Sequence, residues 1–234
     1  MNLSIVIPTL NEEKYILDLI SSIKEQNYND YEIIVSDGNS EDNTIKIAKN
    51  NNCRVIISEK RHPSHQRNQG AKIAKGKFIL FLDADTRLPK MFLRNVINEF
   101  ENRQLLGGGF YIKIEKRKFK YIVLSKVLNT IFKVSQKILP SNIGIAIIVQ
   151  KQIHNKINGF DETIYIGEDY DYSKKVFKKG KFRMLKSSYI KYSPRRLEKE
   201  GFWTVIFKWL KAALYFLFVG PIRKKIVKYD FGKY

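Results

Sequence analysis

The chain has 234 residues, 44% hydrophobic and 13% aromatic, enough to bury one substantial core, which excludes a disordered or low-complexity protein. A single cysteine, Cys53, excludes a disulfide framework and a cysteine-based zinc site, and favours a reducing compartment. The net charge of +20 is lopsided: residues 1–112 carry 15 Lys and Arg against 14 Asp and Glu, whereas residues 113–234 carry 28 against 9. Such an excess implies polyanionic partners, namely nucleic acid, an anionic membrane surface or phosphorylated substrates, beside an ordinary share of solvated surface lysines.

The opening Met1–Pro8 is too short for a signal peptide and lacks its basic flank, so Leu3–Pro8 reads as a first strand. Asn11 then caps a helix that puts Ile16, Leu19, Ile20 and Ile23 on one face. Tyr31–Ser36 is a second strand, ending at Asp37-Gly38-Asn39-Ser40. Asp42 or Asn43 opens a short helix through Lys49, and Arg54–Ile57 is a third strand. Gln66–Ala74 is a helix that stops near Gly76, Phe78–Leu82 a fourth strand, and Pro89 starts a helix through Phe100. Repeated β-α-β crossovers predict a mostly parallel α/β sheet with helices on both faces. Beyond Gly107 the pattern loosens. Gly109–Ile114 suits a strand, Tyr121–Leu139 an amphipathic helix with Lys126, Lys133 and Lys137 on its polar side, Ile143–Gln150 a strand, and Asp169–Lys179 a helix closed by Gly180.

The fourth strand runs straight into Asp83-Ala84-Asp85. Strand side chains alternate faces, so carboxylates spaced i, i+2 point the same way from the strand's carboxyl end, where open α/β sheets bind ligands. Hard carboxylate oxygens there suit Mg²⁺ or Mn²⁺ carried with a substrate phosphate. The competing reading is that both aspartates merely end a strand, as Asp often does.

Six motifs stand in register with a known family: Ile5–Glu13, Ile34–Asp42, Arg67-Asn68-Gln69-Gly70, Asp83-Ala84-Asp85, Gly159-Phe160-Asp161-Glu162 and Gly167-Glu168-Asp169. With them the chain resembles the inverting glycosyltransferase family 2, whose nucleotide-sugar domain has the GT-A fold, over roughly residues 3–193. The resemblance implies a metal-dependent, inverting transfer of a hexose-type sugar from a UDP- or GDP-linked donor to an acceptor hydroxyl. Pro8, Thr9 and Glu12 would close over the nucleoside, and Asp37 would accept a hydrogen bond from the base. Glu12 also reads as ordinary helix N-terminal charge, and Asp37 as part of a turn and cap. Arg67 would contact phosphate or the aspartates. Asp85 would be the main ligand of Mg²⁺ or Mn²⁺, with Asp83 on ribose or sugar and Ala84 between them. Asp169 would be the base that takes the acceptor proton and Glu168 its neighbour in acceptor positioning, against the plain reading of an acidic helix start. Where many relatives supply a late histidine as a further metal ligand, this chain has Tyr192-Ser193-Pro194-Arg195-Arg196. Arg195 and Arg196 would instead clamp the diphosphate with planar guanidinium forks, unless they are simply solvated. His62, His65 and His154 read as surface or core histidines.

Phe202–Val219 is marginal in length for a membrane span and carries Lys208 and Lys211 near its middle. Thr204, Lys208, Lys211 and Tyr215 form one polar stripe, and Arg223, Lys224, Lys225 and Lys228 follow, as in a helix lying in a membrane interface. Packing on the catalytic domain or on a second copy is the alternative. The expected organisation is a GT-A domain over residues 1–200, with a nucleotide-binding half (1–112) and an acceptor-binding half (113–200), and a basic aromatic tail over 201–234. It would sit peripherally on the cytoplasmic membrane face and act on a lipid-linked glycan. The alternatives are a polyprenyl-phosphate sugar synthase, which needs no base because its acceptor is already ionised, and an inactive membrane-bound scaffold. A nucleic-acid partner is not expected: the first half is near neutral, and no zinc finger or aromatic-basic RNA-binding signature is present.

Overall fold

A computed structural model describes residues 1–116, 118–136 and 144–223. The first half alternates as predicted: β1 (Leu3–Thr9), α1 (Ile16–Lys24), β2 (Tyr31–Asp37), α2 (Thr44–Asn50), β3 (Arg54–Ile57), α3 (Pro63–Ile73), β4 (Phe78–Leu82), β5 (Thr86–Arg87) and α4 (Phe92–Asn102). The second half holds β6 (Gly107–Ile114), α5 (Phe119–Ser135), β7 (Ala146–Gln150), α6 (Lys151–Lys156), α7 (Glu168–Phe177), β8 (Phe182–Tyr192), α8 (Arg195–Lys199) and α9 (Phe202–Phe218).

The strands form one eight-stranded sheet, ordered β3-β2-β1-β4-β7-β6-β8-β5. β3, β2, β1 and β4 are parallel, as the crossovers require, and β6 runs parallel to β8. β7 lies antiparallel to both β4 and β6, and β5 antiparallel to β8. One buried cluster joins α1 and α4 to the sheet through Ile16, Leu19, Phe92 and Phe100. A second cluster, with Phe81, Phe160, Tyr172 and Val176, covers the opposite face, so helices shield both sides. α3 lies close on β1 because residue 70 is glycine: a Cβ there would stand 2.4 Å from Val6 Cγ1.

Several expected boundaries shift for local reasons. Asn11 does not cap α1, which starts at Ile16. It adopts a left-handed backbone (φ 56°) and ties two loops together instead. Its amide donates to Ser40 Oγ (2.8 Å) and its side-chain oxygen accepts from Glu41 N (2.9 Å). α3 begins earlier than expected, with Pro63 in its first turn and His62 accepting from Ser64 N, so Arg67 sits one turn into the helix rather than at its start. β8 escapes the sequence reading because its inward positions do not alternate. It shifts register against β6 between Phe110 and Tyr111, and Glu99 collects the free amides of Lys186 and Ser187 there (2.7–3.0 Å). Lys137–Leu139, Ile143, Lys224, Lys225 and Lys228 lie outside the described residues.

α5 buries Tyr121, Leu124 and Phe132 and exposes Lys126 and Lys133 as expected, but its outer face is also apolar: Phe119, Ile122, Val123, Val127, Ile131 and Val134 are all exposed. α9 is two-sided in the same way. Val205, Ile206 and Trp209 pack with Tyr121 and Leu197, while Trp203, Phe207, Leu210, Leu214 and Phe218 face outward. Of the predicted polar stripe, Thr204 and Lys211 are exposed, and Lys208 turns inward to an ion pair with Glu200. Among the described residues no helix is long and apolar enough to cross a membrane.

Candidate active site

The carboxyl ends of β1, β2 and β4 meet at one edge of the sheet, and the sequence-predicted carboxylates meet there too. Asp37 ends β2, fully buried, and accepts from Thr9 Oγ1 (2.6 Å), Ser40 N (2.6 Å) and Ser40 Oγ (2.7 Å). Thr9 O in turn accepts from Gly38 N (2.8 Å) and Gln66 Nε2 (2.6 Å). In this state the Asp37 carboxylate does the work of the turn. Pro8 lies in β1 opposite Ser36, and Ala84 is buried between the two strand-end aspartates.

Two arginines organise the rest. Arg67, 3% exposed at its side chain, donates from Nη2 to Asp83 Oδ1 (2.8 Å) and to Gly144 O (3.1 Å), and from Nη1 to Glu168 Oε1 (2.9 Å). Of the two partners expected for it, phosphate or aspartate, the structure shows the aspartate. Its guanidinium also lies 5.4 Å from the Phe160 ring centre. The motif around Phe160 is thereby explained: Asn68 exchanges two 2.9 Å hydrogen bonds with the Phe160 backbone, and Phe160 stacks on Tyr172 at 3.9 Å. Glu162 closes the junction with His65 (2.8 Å) and Asn68 (3.0 Å).

Arg195, at the start of α8, is the second organiser. Its terminal nitrogens form a fork on Glu12 (2.6 and 2.8 Å), its Nε donates to Asp85 Oδ2 (2.9 Å), and its guanidinium covers the Tyr15 ring at 4.4 Å. This residue comes from 183 positions beyond Glu12 in the chain. Ser193 N donates to Asp85 O (3.2 Å), which fixes the segment against the fourth strand's end. Arg196 does not join them: its Nε donates to Glu200 (2.9 Å), which also holds Lys208 of α9.

Five carboxylates (Glu12, Asp83, Asp85, Glu168, Asp169) thus face two guanidiniums. Burial, with the neighbouring Asp85 and Asp83 charges, outweighs Arg195 and raises Glu12 to about 7. Burial and the Asp83 charge raise Asp85 to about 6 against the pull of Arg195, and burial raises Asp83. Asp169, in the first turn of α7, accepts from Gly144 N; burial and then the adjacent Glu168 push it up to about 7. Five carboxylates set against two guanidiniums leave an excess of negative charge that suits the site to receive a cation.

The other expectations find plain places. His154 is buried, hydrogen-bonded to Tyr172 (2.8 Å) and lowered to about 4 by burial, as a core histidine. The sequence reading missed how the loop leading into α7 is covered. The Phe216 ring of α9 lies against Gly167, where a Cβ would stand 1.8 Å from it, and Ile222 O accepts from the amides of Tyr165 (2.7 Å) and Ile166 (3.3 Å). Gly167 adopts a positive φ (87°), a backbone that favours glycine, in this crowded turn.

Comparison with known proteins gives three findings. Residues 4–159 match the family described as Glycosyl transferase family 2. Over 199 residues the chain is 27% identical to the Methanococcus voltae dolichyl N-acetyl-alpha-D-glucosaminyl phosphate 3-beta-D-2,3-diacetamido-2,3-dideoxy-beta-D-glucuronosyltransferase, covering 76% of this chain and 62% of that one. The fold is that of Staphylococcus aureus TarS in complex with UDP-GlcNAc (TM-score 0.69, 23% identity, 82% of this chain and 58% of that one). It is also that of the Pyrobaculum calidifontis mannosyltransferase PcManGT in complex with GDP-Man and Mn²⁺ (TM-score 0.62, 20% identity, 79% and 54%). The chain spans less than two thirds of each of these three proteins.

Proposed function

The chain belongs to glycosyl transferase family 2, and from that premise we propose that it moves one sugar from a UDP- or GDP-linked donor to an acceptor hydroxyl with inversion. The observation that carries this reading is the convergence of Asp83, Asp85, Glu168 and Asp169, bridged by Arg67 and Arg195, at the carboxyl ends of β1, β2 and β4.

Glu12, Thr9 and Asp37 line the nucleoside end, and Arg195 faces the diphosphate. Arg195 holds Glu12 and Asp85 in the free enzyme, and a donor diphosphate offers its fork a more strongly charged partner. Asp169 takes the acceptor proton, and Glu168, fixed by Arg67, orients the hydroxyl. Among the described residues no three His, Cys, Asp or Glu converge as a metal cage. The donor set fits an oxygen-seeking Mg²⁺ or Mn²⁺, which Asp85 would hold beside the diphosphate. When bound, the ion would supply positive charge to offset that of the nucleoside diphosphate leaving group.

A lipid-linked glycan is the acceptor class we favour, supported by the name of the Methanococcus relative, which specifies a dolichyl-linked acceptor. The enzyme would work peripherally at the cytoplasmic membrane face, with α9 on the anionic surface. The test is calorimetric binding of UDP and GDP, with and without Mn²⁺, to wild type and Asp85→Ala. Metal-dependent binding of one nucleotide, lost in the variant, is expected; equal binding by both proteins refutes the assignment of Asp85. Activity on a polyprenyl phosphate that survives Asp169→Ala would turn the reading to a polyprenyl-phosphate sugar synthase.

A further inference from the structure

α5 offers an apolar surface that neither the core nor the candidate active site uses. Among the described residues, 11 of the 16 large hydrophobic side chains that are exposed lie on α5 and α9. Scattered exposed apolar residues need no explanation, but two continuous stripes do. The helices meet at their first turns, where Tyr121 faces Phe202 (ring centres 6.1 Å apart) and Lys120 lies 5.1 Å from the Phe202 ring. The outer stripes start beside that contact, at Phe119 and Trp203, 82% and 68% exposed.

The charge pattern selects the occupant. Neither helix contains an acidic residue, and exposed Lys118, Lys120, Lys126 and Lys133 flank the α5 stripe, with Lys211 beside that of α9. A second copy pairing through this face would set lysines against lysines with no carboxylate in either helix. An anionic headgroup layer over an apolar interior meets both parts of the pattern.

We propose that α5 and α9 together form a docking face for an anionic phospholipid bilayer, with α5 contributing about as much as the tail helix. This extends the membrane part of the proposed function and is independent of its sugar-transfer part. Because Phe216 lies on Gly167 and Ile222 pairs with Ile166, a bilayer under α9 sits next to the loop that leads into Glu168 and Asp169 at the start of α7. An acceptor held in that bilayer reaches the base without leaving the interface.

The experiment uses the full chain and vesicles of phosphatidylglycerol with phosphatidylcholine, against phosphatidylcholine alone. Partitioning is read by sedimentation, and by quenching of Trp203 in a Trp209→Phe background with brominated lipid. Expected are binding to the anionic vesicles only, quenching of Trp203, and a loss of about tenfold or more in Val127→Glu/Ile131→Glu. Phe207→Glu/Leu210→Glu should lose a similar amount, with circular dichroism and nucleotide binding unchanged in both variants. If the α5 variant partitions like wild type while the α9 variant does not, the role of α5 is overturned and the tail reading stands. If wild type ignores anionic vesicles, both fall. A solution dimer broken by the α5 variant, without vesicle binding, would assign the face to a second copy and overturn the proposal.

Discussion

If Asp169 is the base, its protonation sets the pH dependence of sugar transfer. Burial and the adjacent Glu168 raise it to about 7, against a model-peptide value near 3.8. Only the carboxylate accepts a proton, so the active fraction is about a tenth at pH 6 and about nine tenths at pH 8. Single-turnover transfer should therefore climb about tenfold between those values and level off above. Glu168→Gln removes the second-largest cause of the shift, so its limb should move to lower pH, whereas Asp169→Asn should lose about 10² or more in rate. Stability should run the other way. A carboxylate raised in the folded state keeps its proton there while the unfolded chain releases it, so the folded form loses stability as pH rises from about 4 to 7. Glu12, raised to about 7, and Asp85, raised to about 6, act with the same sign. Urea unfolding of the free protein should show a fall on the order of 2 kcal/mol or more from pH 5 to pH 8. A transfer rate flat from pH 6 to 8, or a limb that ignores Glu168→Gln, refutes the assignment of the base.

Arg195→Gln leaves Glu12 and Asp85 buried without their cation, and should cost about 3–5 kcal/mol in urea unfolding. Adding Glu12→Gln should recover part of that loss, and additive costs would show that the pair is not coupled. Gly70→Ala drives a methyl into Val6 Cγ1 and should cost about 1–3 kcal/mol. Val6→Ala in the same chain should relieve it; a thermal melt unchanged by Gly70→Ala would mean that α3 and β1 do not approach so closely. Gly167→Ala meets both a positive φ and the Phe216 ring. Hydrogen exchange at the Tyr165 and Ile166 amides should rise as the Ile222 pairing loosens, and unchanged exchange would refute the coupling of α9 to that loop.

The first half of the fold is legible because its signals are local. β1, β2 and β4 are short apolar runs closed by Pro, Gly or Asp, and α1 shows its buried face in the spacing of Ile16, Leu19, Ile20 and Ile23. The second half depends on partners distant in sequence. β8 is a strand because β6 lies beside it, and its bulge is held by Glu99 from α4; nothing between Phe182 and Tyr192 announces that. α5 and α9 mislead for a different reason. Helical periodicity reports that a face is apolar, not whether protein covers it, and both helices are apolar on two faces.

The candidate site divides along the same line. Its carboxylates are visible because strand ends and helix starts are local features, and Asp83, Asp85, Glu168 and Asp169 each sit at one. Their counter-charges are legible only in part. The sequence names Arg67 and Arg195 among 43 Lys and Arg, but which carboxylates each one bridges is set by the fold. The distinction bears on chemistry, because Arg195 bonds to Asp85, proposed to hold the divalent ion, and forks onto Glu12, proposed to line the nucleoside end. In the free enzyme one guanidinium already supplies positive charge where donor and ion would bring more. Donor binding at this site is then an exchange of partners among charges rather than the filling of an empty cleft. Its affinity should follow the competition between Arg195 and the incoming cation for Asp85.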